Sequence, residues 1–215
     1  MGLPAFTHGV NATDAADLDR LGSMDSQLYY FSWKLEGTRC ALLVDDGRSY
    51  LLSDNYVCML PEILWGSKIV AVKSLLVHGD LVATGNGKAF YAYELLCFRG
   101  SWTSRGQQED VARDAHDSFD RRAEAISKVL YREDSAAVTA GELRILAKPR
   151  AKLKYAQSLS QFLREHPAPA ESVGYVLYPD GAFVRGTNPD IIDWCGPSNA
   201  LERWVSQHRA RLPNV

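Results

Sequence analysis

The stretch Ser32-Trp33-Lys34-Leu35-Glu36-Gly37-Thr38-Arg39 decides the fold prediction for this chain. It ends an aromatic run that begins at Tyr29, and such runs favour β-strands, while a glycine lets the backbone turn sharply and pass close to a ligand. The pattern predicts a lysine at the end of a strand, followed by a turn in which Arg39 holds a phosphate or a sugar. A lysine becomes a nucleophile when burial or neighbouring cations favour its neutral amine. The alternative is a surface turn whose Lys34 and Arg39 are simply solvated.

The composition limits the classes of protein to which the chain can belong. Its 215 residues are 46% hydrophobic and 23% charged, which suits one domain, or one and a half, with a substantial core. The net charge of −2 argues against a general nucleic-acid binder, so any RNA contact needs a local basic patch. We expect an intracellular protein, nuclear or cytoplasmic, because four cysteines without a C-x-x-C pair are typical of reduced thiols. We find no secretory signal and no apolar run that spans a bilayer, and therefore expect no membrane partner.

The order of strand and helix patterns predicts an α+β fold with mainly antiparallel sheets and flanking helices. An N-terminal helical segment over 1–28, with a helix over 14–21 that follows capping residues Asn11–Asp14, precedes a domain over 29–197. Hairpins are predicted around the turns 45–48, 85–87 and 179–181. A polar loop over 99–110 leads into an amphipathic helix of about five turns from Val111 to Leu130. Strands over 142–147 and 191–194, a short helix near 159–163 and a closing helix over 198–215 complete the prediction.

Five segments in order resemble the motifs of the covalent nucleotidyltransferases, and most closely those of the guanylyltransferase domain of mRNA capping enzymes. They are 32–39 (motif I, K-x-D-G-x-R), 75–82 (motif III, ending D-G-E-L), 90–96 (motif IIIa), 173–179 (motif IV) and 186–197 (G-T, then motif V, L-L-K-W-K-P). The resemblance covers about residues 20–197. It implies a nucleotidyltransferase (guanylyltransferase/ATP-grasp-like) fold.

The resemblance also implies a reaction and its residues. Lys34 would attack the α-phosphate of GTP, hold GMP as a phosphoramide and pass it to an RNA 5′ end, while Asp80 would bind Mg²⁺ or Mn²⁺. Phosphoryl transfer depends chiefly on positioning and charge neutralisation, which explains why cations and a divalent metal recur in such sites. The residues implied to bind the nucleotide are Tyr29, Glu36, Gly37, Arg39, Phe90, Tyr93, Glu94 and Trp194.

Several positions depart from the capping-enzyme pattern. Motif I has Glu36 in place of Asp, Ser53 replaces an expected arginine, and motif IV lacks its acid before Gly174. Both motif V lysines are absent, because Asp193 and Cys195 occupy their positions. The 18 residues after Pro197 are too few for the OB domain that closes over GTP in capping enzymes. If the domain is an enzyme, a partner protein would supply what is missing.

These losses are similar to those of a second relative, the trimethylguanosine-cap-binding domain of snurportin. That domain has the same fold without catalysis, and it lacks the motif V lysines and the OB domain. The resemblance implies that Tyr29 and Trp194 hold a methylated guanine between their rings, since a cation is attracted to π faces. Snurportin has lost the motif I lysine, however, whereas this chain keeps Lys34. The alternatives are therefore a guanylyltransferase and a cap-binding module or pseudo-enzyme scaffold, neither of which acts on DNA.

Simpler roles remain open for most of these residues. Tyr29, Trp33 and Trp194 are also explained by packing in a sheet, and Asp80 by the end of a hairpin strand. Glu94 lies in an apolar strand and is either paired with a cation or exposed, because a buried charge is costly alone. The basic segment 148–154 is either a solvated loop or a contact for RNA phosphates. For Cys195 a buried inert thiol is the favoured interpretation.

Overall fold

A computed structural model of the chain describes residues 8–13, 29–104, 106–131, 137–152, 157–179, 181, 187–196, 200, 201 and 203. The described chain divides into two compact units. The first consists mainly of Gly37–Lys148, and the second of the described parts of 7–36, 149–180 and 184–215. The strands, in chain order, are β1 (His8–Ala12), β2 (Tyr29–Leu35), β3 (Thr38–Asp45), β4 (Arg48–Leu52), β5 (Val57–Leu60), β6 (Ile63–Leu64), β7 (Ile69–Thr84), β8 (Gly87–Ser104), β9 (Gln107–Asp114), β10 (Val138–Ala140), β11 (Leu143–Ala147), β12 (Arg150–Lys152), β13 (Ser172–Pro179) and β14 (Thr187–Trp194); the helices are α1 (Phe119–Val129) and α2 (Gln157–Glu165).

The first unit is a nine-stranded sheet in the order β5-β4-β3-β7-β8-β11-β10-β6, with β9 also paired to β8. Its centre is the long antiparallel ladder of β7 and β8, which runs from Ile69↔Trp102 to Thr84↔Gly87 with register shifts on the way. All its other pairings are antiparallel except that of β11 with β8. A continuous apolar core lies under this ladder and includes Leu42, Val77, Phe90, Leu95, Phe98 and Ile145.

Helix α1 covers this core with one apolar face. It begins after Ser118, whose hydroxyl accepts a hydrogen bond from the Arg121 backbone N–H at 3.5 Å, as N-cap residues do. Its buried residues recur at three- and four-residue spacing, and Ile126 and Val129 belong to the core cluster. The helix is therefore fixed to the sheet by its apolar stripe.

The second unit is a five-stranded sheet in the order β1-β14-β13-β2-β12. Only the pairing of β1 with β14 is parallel. On β2, Trp33 stacks on Tyr175 of β13 with ring centroids 5.0 Å apart, and Phe31 meets Phe162 of α2 edge to face at 4.8 Å. Such pairs stabilise beyond their buried area, so the aromatic run before Lys34 forms part of this unit's core.

The structure confirms the mainly antiparallel sheets and corrects three local predictions. The polar loop over 99–110 is wrong, because β8 continues to Ser104 and β9 pairs with it; Trp102 stacks on Phe98 at 5.5 Å. The helix predicted from Val111 begins only at Phe119, since Val111 lies opposite Gly100 in the β8–β9 ladder. A helical segment over 1–28 is wrong for 8–12, which form β1 against β14. Strands dominate the described chain, so the two helices contribute less than the predicted α+β layout implies.

Other predictions fall partly or wholly outside the described residues. These are the helix over 14–21, the returning strand over 182–185 and most of the closing helix over 198–215. The predicted domain over 29–197 spans parts of both compact units. No helix in the described ranges is long and apolar enough to cross a membrane.

A glycine substitution tests the second sheet. Gly174 has φ +151°, and a Cβ there would lie 2.2 Å from the Trp194 carbonyl oxygen. Because the obstructing atom is backbone, we expect Gly174→Ala to lower the free energy of unfolding by at least about 2 kcal/mol. Urea denaturation measures this, with Gly85→Ala as the control, since a Cβ at Gly85 meets nothing within 4 Å. Equal stability of the two variants would contradict the described pairing of β13 with β14.

Candidate functional site: two separate charged clusters

Lys34 lies near the end of β2 in the second unit and contacts three polar groups. Its Nζ is 3.3 Å from a carboxylate oxygen of Asp193, and it donates hydrogen bonds to the Asn11 amide oxygen at 3.3 Å and the Cys195 Sγ at 3.4 Å. We call these four residues the Lys34 cluster. The predicted position of Lys34 near a strand end is confirmed, and the lysine is not simply solvated.

The Lys34 cluster assembles residues that the sequence places far apart. Antiparallel pairing sets Gly174 of β13 opposite Lys34 of β2, and β14 pairs with the other side of β13. Parallel pairing sets Asn11 of β1 opposite Asp193 of β14. The two residues at the motif V lysine positions, Asp193 and Cys195, therefore both meet the motif I lysine.

The charge of this cluster differs from that of a covalent nucleotidyltransferase. Asp193 exposes only 9% of its side chain and Lys34 exposes 23%, so the pair is shielded from bulk water. An ammonium in an ion pair has no free electron pair with which to attack phosphorus. Cys195 is exposed, contrary to the prediction of a buried thiol, but adds no cation. As described, the cluster holds Lys34 as a charged donor.

The remaining motif I residues have structural partners. Glu36 is exposed, and its backbone N–H donates to the Glu171 carbonyl at 2.8 Å. A Cβ at Gly37 would lie 2.7 Å from the Leu81 carbonyl oxygen, so this glycine allows a close approach to β7 rather than to a ligand. Arg39 lies in β3 directly opposite Asp80 of β7. The octapeptide thus passes from the second unit to the first after Glu36.

Asp80 belongs to a second cluster, in the first unit. Its carboxylate accepts a hydrogen bond from Lys148 Nζ at 2.8 Å, and both side chains are buried. Lys148 follows β11; its backbone N–H donates to Ala92 of β8 at 2.8 Å, and its Nζ lies 5.1 Å from the centre of the Tyr93 ring. We call Asp80, Tyr93 and Lys148 the Asp80 cluster. Asp80 is therefore an ion-pair partner within a long strand and does not end a hairpin.

A divalent metal does not fit the Asp80 cluster as described. Mg²⁺ is bound through carboxylates and other oxygens, and an ammonium at 2.8 Å competes for the same carboxylate. Among the described residues, no group of three or more His, Cys, Asp and Glu side chains is placed to hold a metal ion. We therefore derive no metal-dependent step from this chain.

The aromatic residues predicted to bind the base are buried. None of Tyr29, Phe90, Tyr93 and Trp194 exposes more than 8% of its surface, and Phe90 and Trp194 expose none. Trp194 lies opposite Tyr175 in the β13–β14 ladder, and Phe90 belongs to the core of the first unit. Stacking of a base on any of these rings would require neighbouring groups to move. Packing, the simpler alternative, describes their arrangement here.

Glu94 is paired with a cation that the sequence analysis did not identify. Arg122 of α1 makes two hydrogen bonds to this carboxylate, from Nε at 2.6 Å and from a terminal nitrogen at 3.3 Å. Its other terminal nitrogen donates to the Asp117 carbonyl and, at 2.9 Å, to the Gly181 carbonyl. Arg122 exposes 2% of its side chain. Glu94 thus fixes α1 to the sheet rather than facing an open site.

Sequence signals for Lys148 and Arg122 were present but weak. Arg122 falls on the apolar stripe of α1, where a charged residue in a buried position needs an acid partner, and Glu94 was an acid in need of one. Lys148 lies at the start of the basic segment 148–154, and nothing in the local pattern distinguishes it from the other basic residues of that segment.

His78 is fully buried in β7, where its backbone lies opposite Ala41 of β3 and Glu94 of β8. Burial, and after it the positive charge of Arg39, lowers the pKa of His78 from 6.5 to about 4. The imidazole is therefore neutral at physiological pH. Arg39 thus acts on His78 as well as lying opposite Asp80.

Comparisons with known proteins support the fold. No protein-family model and no curated protein matches the chain. Among solved structures, the ligase domain of M. tuberculosis LigD is similar, with TM-score 0.51 and 13% identity over 88% of this chain and 58% of that one. A mycobacterial DNA ligase D complexed with ATP and MES is similar, with TM-score 0.50 and 12% identity over 89% of this chain and 60% of that one. The chain spans less than two thirds of these ligase chains.

At this identity the likeness concerns the fold alone. The fold is similar to that of these two DNA ligase structures.

The Glu94–Arg122 pair gives a stability prediction. Arg122→Met leaves a buried carboxylate without its cation, so we expect a loss of about 3–5 kcal/mol in the free energy of unfolding. Glu94→Leu combined with Arg122→Met should recover most of that loss, because no buried charge remains. Urea unfolding of the three variants measures this. Arg121→Met, at an exposed neighbouring position, should change stability by no more than about 0.5 kcal/mol.

The lowered pKa of His78 predicts how the free energy of unfolding changes with pH. The unfolded chain binds this proton below pH 6.5 and the folded chain only below about 4, so acid favours unfolding between those values. We expect His78→Gln to remove a loss of at most about 3 kcal/mol between pH 6.5 and 4. Thermal and urea unfolding of both proteins across that range measure this. Parallel pH profiles for wild type and variant would contradict it.

Proposed function

We propose that the chain is a nucleotidyltransferase-fold domain that binds a guanine nucleotide, or the capped 5′ end of an RNA, without forming a covalent intermediate. The observation that carries the proposal is the pairing of Lys34 with Asp193 at 3.3 Å. The nucleophile position is kept, and the residue beside it carries the opposite charge to that found in the capping enzymes that the motifs resemble.

Charge is the physical basis of this choice. The motif pattern of active enzymes places three lysines together, one from motif I and two from motif V. Here those positions carry Lys34, Asp193 and Cys195, so a local charge of about +3 becomes about 0 when the thiol is counted as neutral. Fixed cations stabilise the charge that develops on the phosphates during transfer. A site without them is better suited to holding a nucleotide than to transferring it.

The choice of guanine and of the RNA cap as ligands rests on the motif resemblance. The cap-binding domain that the motifs also resemble lacks the motif V lysines. Stacking of a base on an aromatic ring does not need those lysines. We therefore propose capped RNA inside the cell as the partner. Mg²⁺ or Mn²⁺ would accompany the nucleotide phosphates rather than bind to the chain alone.

Guanylyl transfer is the second candidate, and the partial exposure of Lys34 favours it. In that reaction Nζ, after losing a proton, forms a bond to the α-phosphorus of GTP, and the bond to pyrophosphate breaks. A later attack by an RNA 5′ diphosphate on the same phosphorus releases the lysine. This route requires Lys34 to leave Asp193, which a partner protein or the bound nucleotide would have to bring about.

Incubation with α-labelled GTP separates the two candidates. We expect no label to remain on the denatured wild-type protein with Mg²⁺ or Mn²⁺, because Lys34 is held as an ammonium. Equilibrium binding of GTP or of a cap dinucleotide to the same preparation should be measurable by titration calorimetry. Label that stays on the wild-type protein and is lost in Lys34→Ala would establish the enzyme instead.

A charge-restoring variant tests whether the loss of the two motif V lysines lowers the affinity for GTP. Asp193→Lys adds two charges and Cys195→Lys adds one, so the double variant returns the cluster to the family pattern. We expect its affinity for GTP to rise at least about tenfold, with a stronger dependence on salt. Glu165→Lys, on an exposed position of α2, is the control for added charge alone. An equal gain in both variants, or none in either, would contradict the role of Asp193.

A further inference from the structure

A cavity in the first unit lies among residues that neither charged cluster uses. Its volume is about 480 Å³, within the range of sites that hold small organic ligands. It is lined by parts of α1, the end of β8 and the residues just before β7 and after α1: Lys68, Trp102, Thr103, Ser104, Glu124, Ser127, Lys128 and Tyr131.

The aromatic residues of this cavity differ in exposure. Trp102 is 6% exposed and is held by stacking on Phe98 at 5.5 Å, so it is a fixed surface at the base of the cavity. Tyr131 follows α1 and is 49% exposed, which leaves much of its ring accessible. An accessible ring beside a fixed indole is suited to a planar ligand, since aromatic faces stack on one another and on nucleobases.

Two cations lie over these rings. Lys128 Nζ is 5.2 Å from the centre of the Trp102 ring, and Lys68 Nζ is 5.1 Å from that of Tyr131. Both lysines are exposed, and Lys128 also pairs with Glu124 at 2.8 Å. Two ammonium groups and one carboxylate leave a net charge of about +1 at the cavity, on a chain whose net charge is −2. The cavity is therefore a local basic patch.

The remaining lining groups favour a phosphate over a carboxylate or an apolar ligand. Thr103 and Ser104 supply hydroxyl groups at the cavity, whereas the Ser127 hydroxyl donates to the Ala123 carbonyl of its own helix at 3.0 Å. Hydroxyl and ammonium donors together match the several acceptor oxygens of a phosphate, whereas an apolar ligand would leave them unpaired. Combined with the ring surfaces, this donor set matches a planar base joined to a phosphate.

We propose that this cavity binds one nucleotide unit of a single-stranded nucleic acid, with the base against Tyr131 and the phosphate between Lys68 and Lys128. Cationic grooves with interleaved aromatic rings are the general means of holding single strands. The proposal does not depend on the Lys34 cluster, and it gives the domain a contact for the body of an RNA as distinct from its 5′ end. A free nucleotide offers the same chemistry, so the test includes both.

The test uses fluorescence anisotropy of a labelled single-stranded heptanucleotide with the full chain. Lys68→Ala with Lys128→Ala should weaken binding at least about tenfold and lower the slope of log affinity against log salt by about 1.4, as expected for two phosphate contacts on a single strand. Tyr131→Leu should weaken binding about five- to hundredfold without changing that slope, because stacking on a ring is lost, whereas Tyr131→Phe should bind as the wild type does. Thermal unfolding checks that each variant is folded. If the double lysine variant does not fold, the two Tyr131 variants decide the outcome.

Control variants confine the result to this cavity. Lys73→Ala with Lys88→Ala removes two exposed lysines of the same unit that do not line the cavity, and should leave affinity and salt slope unchanged. If adenosine monophosphate competes in a way that depends on Tyr131, the cavity also binds free nucleotides. If only an unlabelled oligonucleotide competes, the ligand is the single strand. Equal losses in both double lysine variants, identical binding by Tyr131→Leu and Tyr131→Phe, or tighter binding of a phosphopeptide of equal charge would overturn the proposal.

Discussion

The antiparallel ladder of β7 and β8 is the constraint on which the first unit depends. β3 pairs with β7, while β9 and β11 pair with β8, and the remaining described strands of the unit attach through β3 or β11. The same ladder carries His78, Asp80, Tyr93 and Glu94, and every one of them is buried. Because a charge in that environment requires a partner, the ladder also dictates where Lys148 and Arg122 must lie.

Part of this arrangement was predictable from the sequence. The turn at Asp45-Asp46-Gly47-Arg48 and the Gly85-Asn86-Gly87 turn have strong local signals, and both hairpins are present. β1 and β9 were missed for different reasons. β1 is held by a partner almost the whole chain away, which no local pattern reveals, and β9 is polar enough to resemble a loop because its side chains are largely exposed. Val111 then matched the helical period by coincidence, and the true start is set by Ser118.

The sequence identified several residues of the candidate site but not the contacts between them. Lys34, Asp193 and Cys195 were recognised as the positions that decide catalysis, but only the β2–β13–β14 order shows that they are in contact. The family resemblance implied one site with Lys34 and Asp80; the two residues belong to different compact units, and each has its own described partners. Glu94 and Trp194 were predicted to bind a nucleotide. In the structure Glu94 pairs with Arg122, and Trp194 is buried in its sheet. Residue type alone could not separate these roles, since a buried acid and a buried indole serve either purpose.

The path of the chain through the two units has a consequence for how the protein forms. Most of the first unit is one continuous stretch, Gly37–Lys148, so its strands find their partners within about a hundred residues of each other, and it can assemble while synthesis continues. The second unit combines residues before Gly37 with residues after Lys148, so β1 cannot pair until β14 has been made. Contacts between such distant residues form slowly because a long loop has to close first. The emerging chain therefore carries an exposed aromatic strand, β2, until its partners β12 and β13 appear, and that interval is when it is most prone to aggregate.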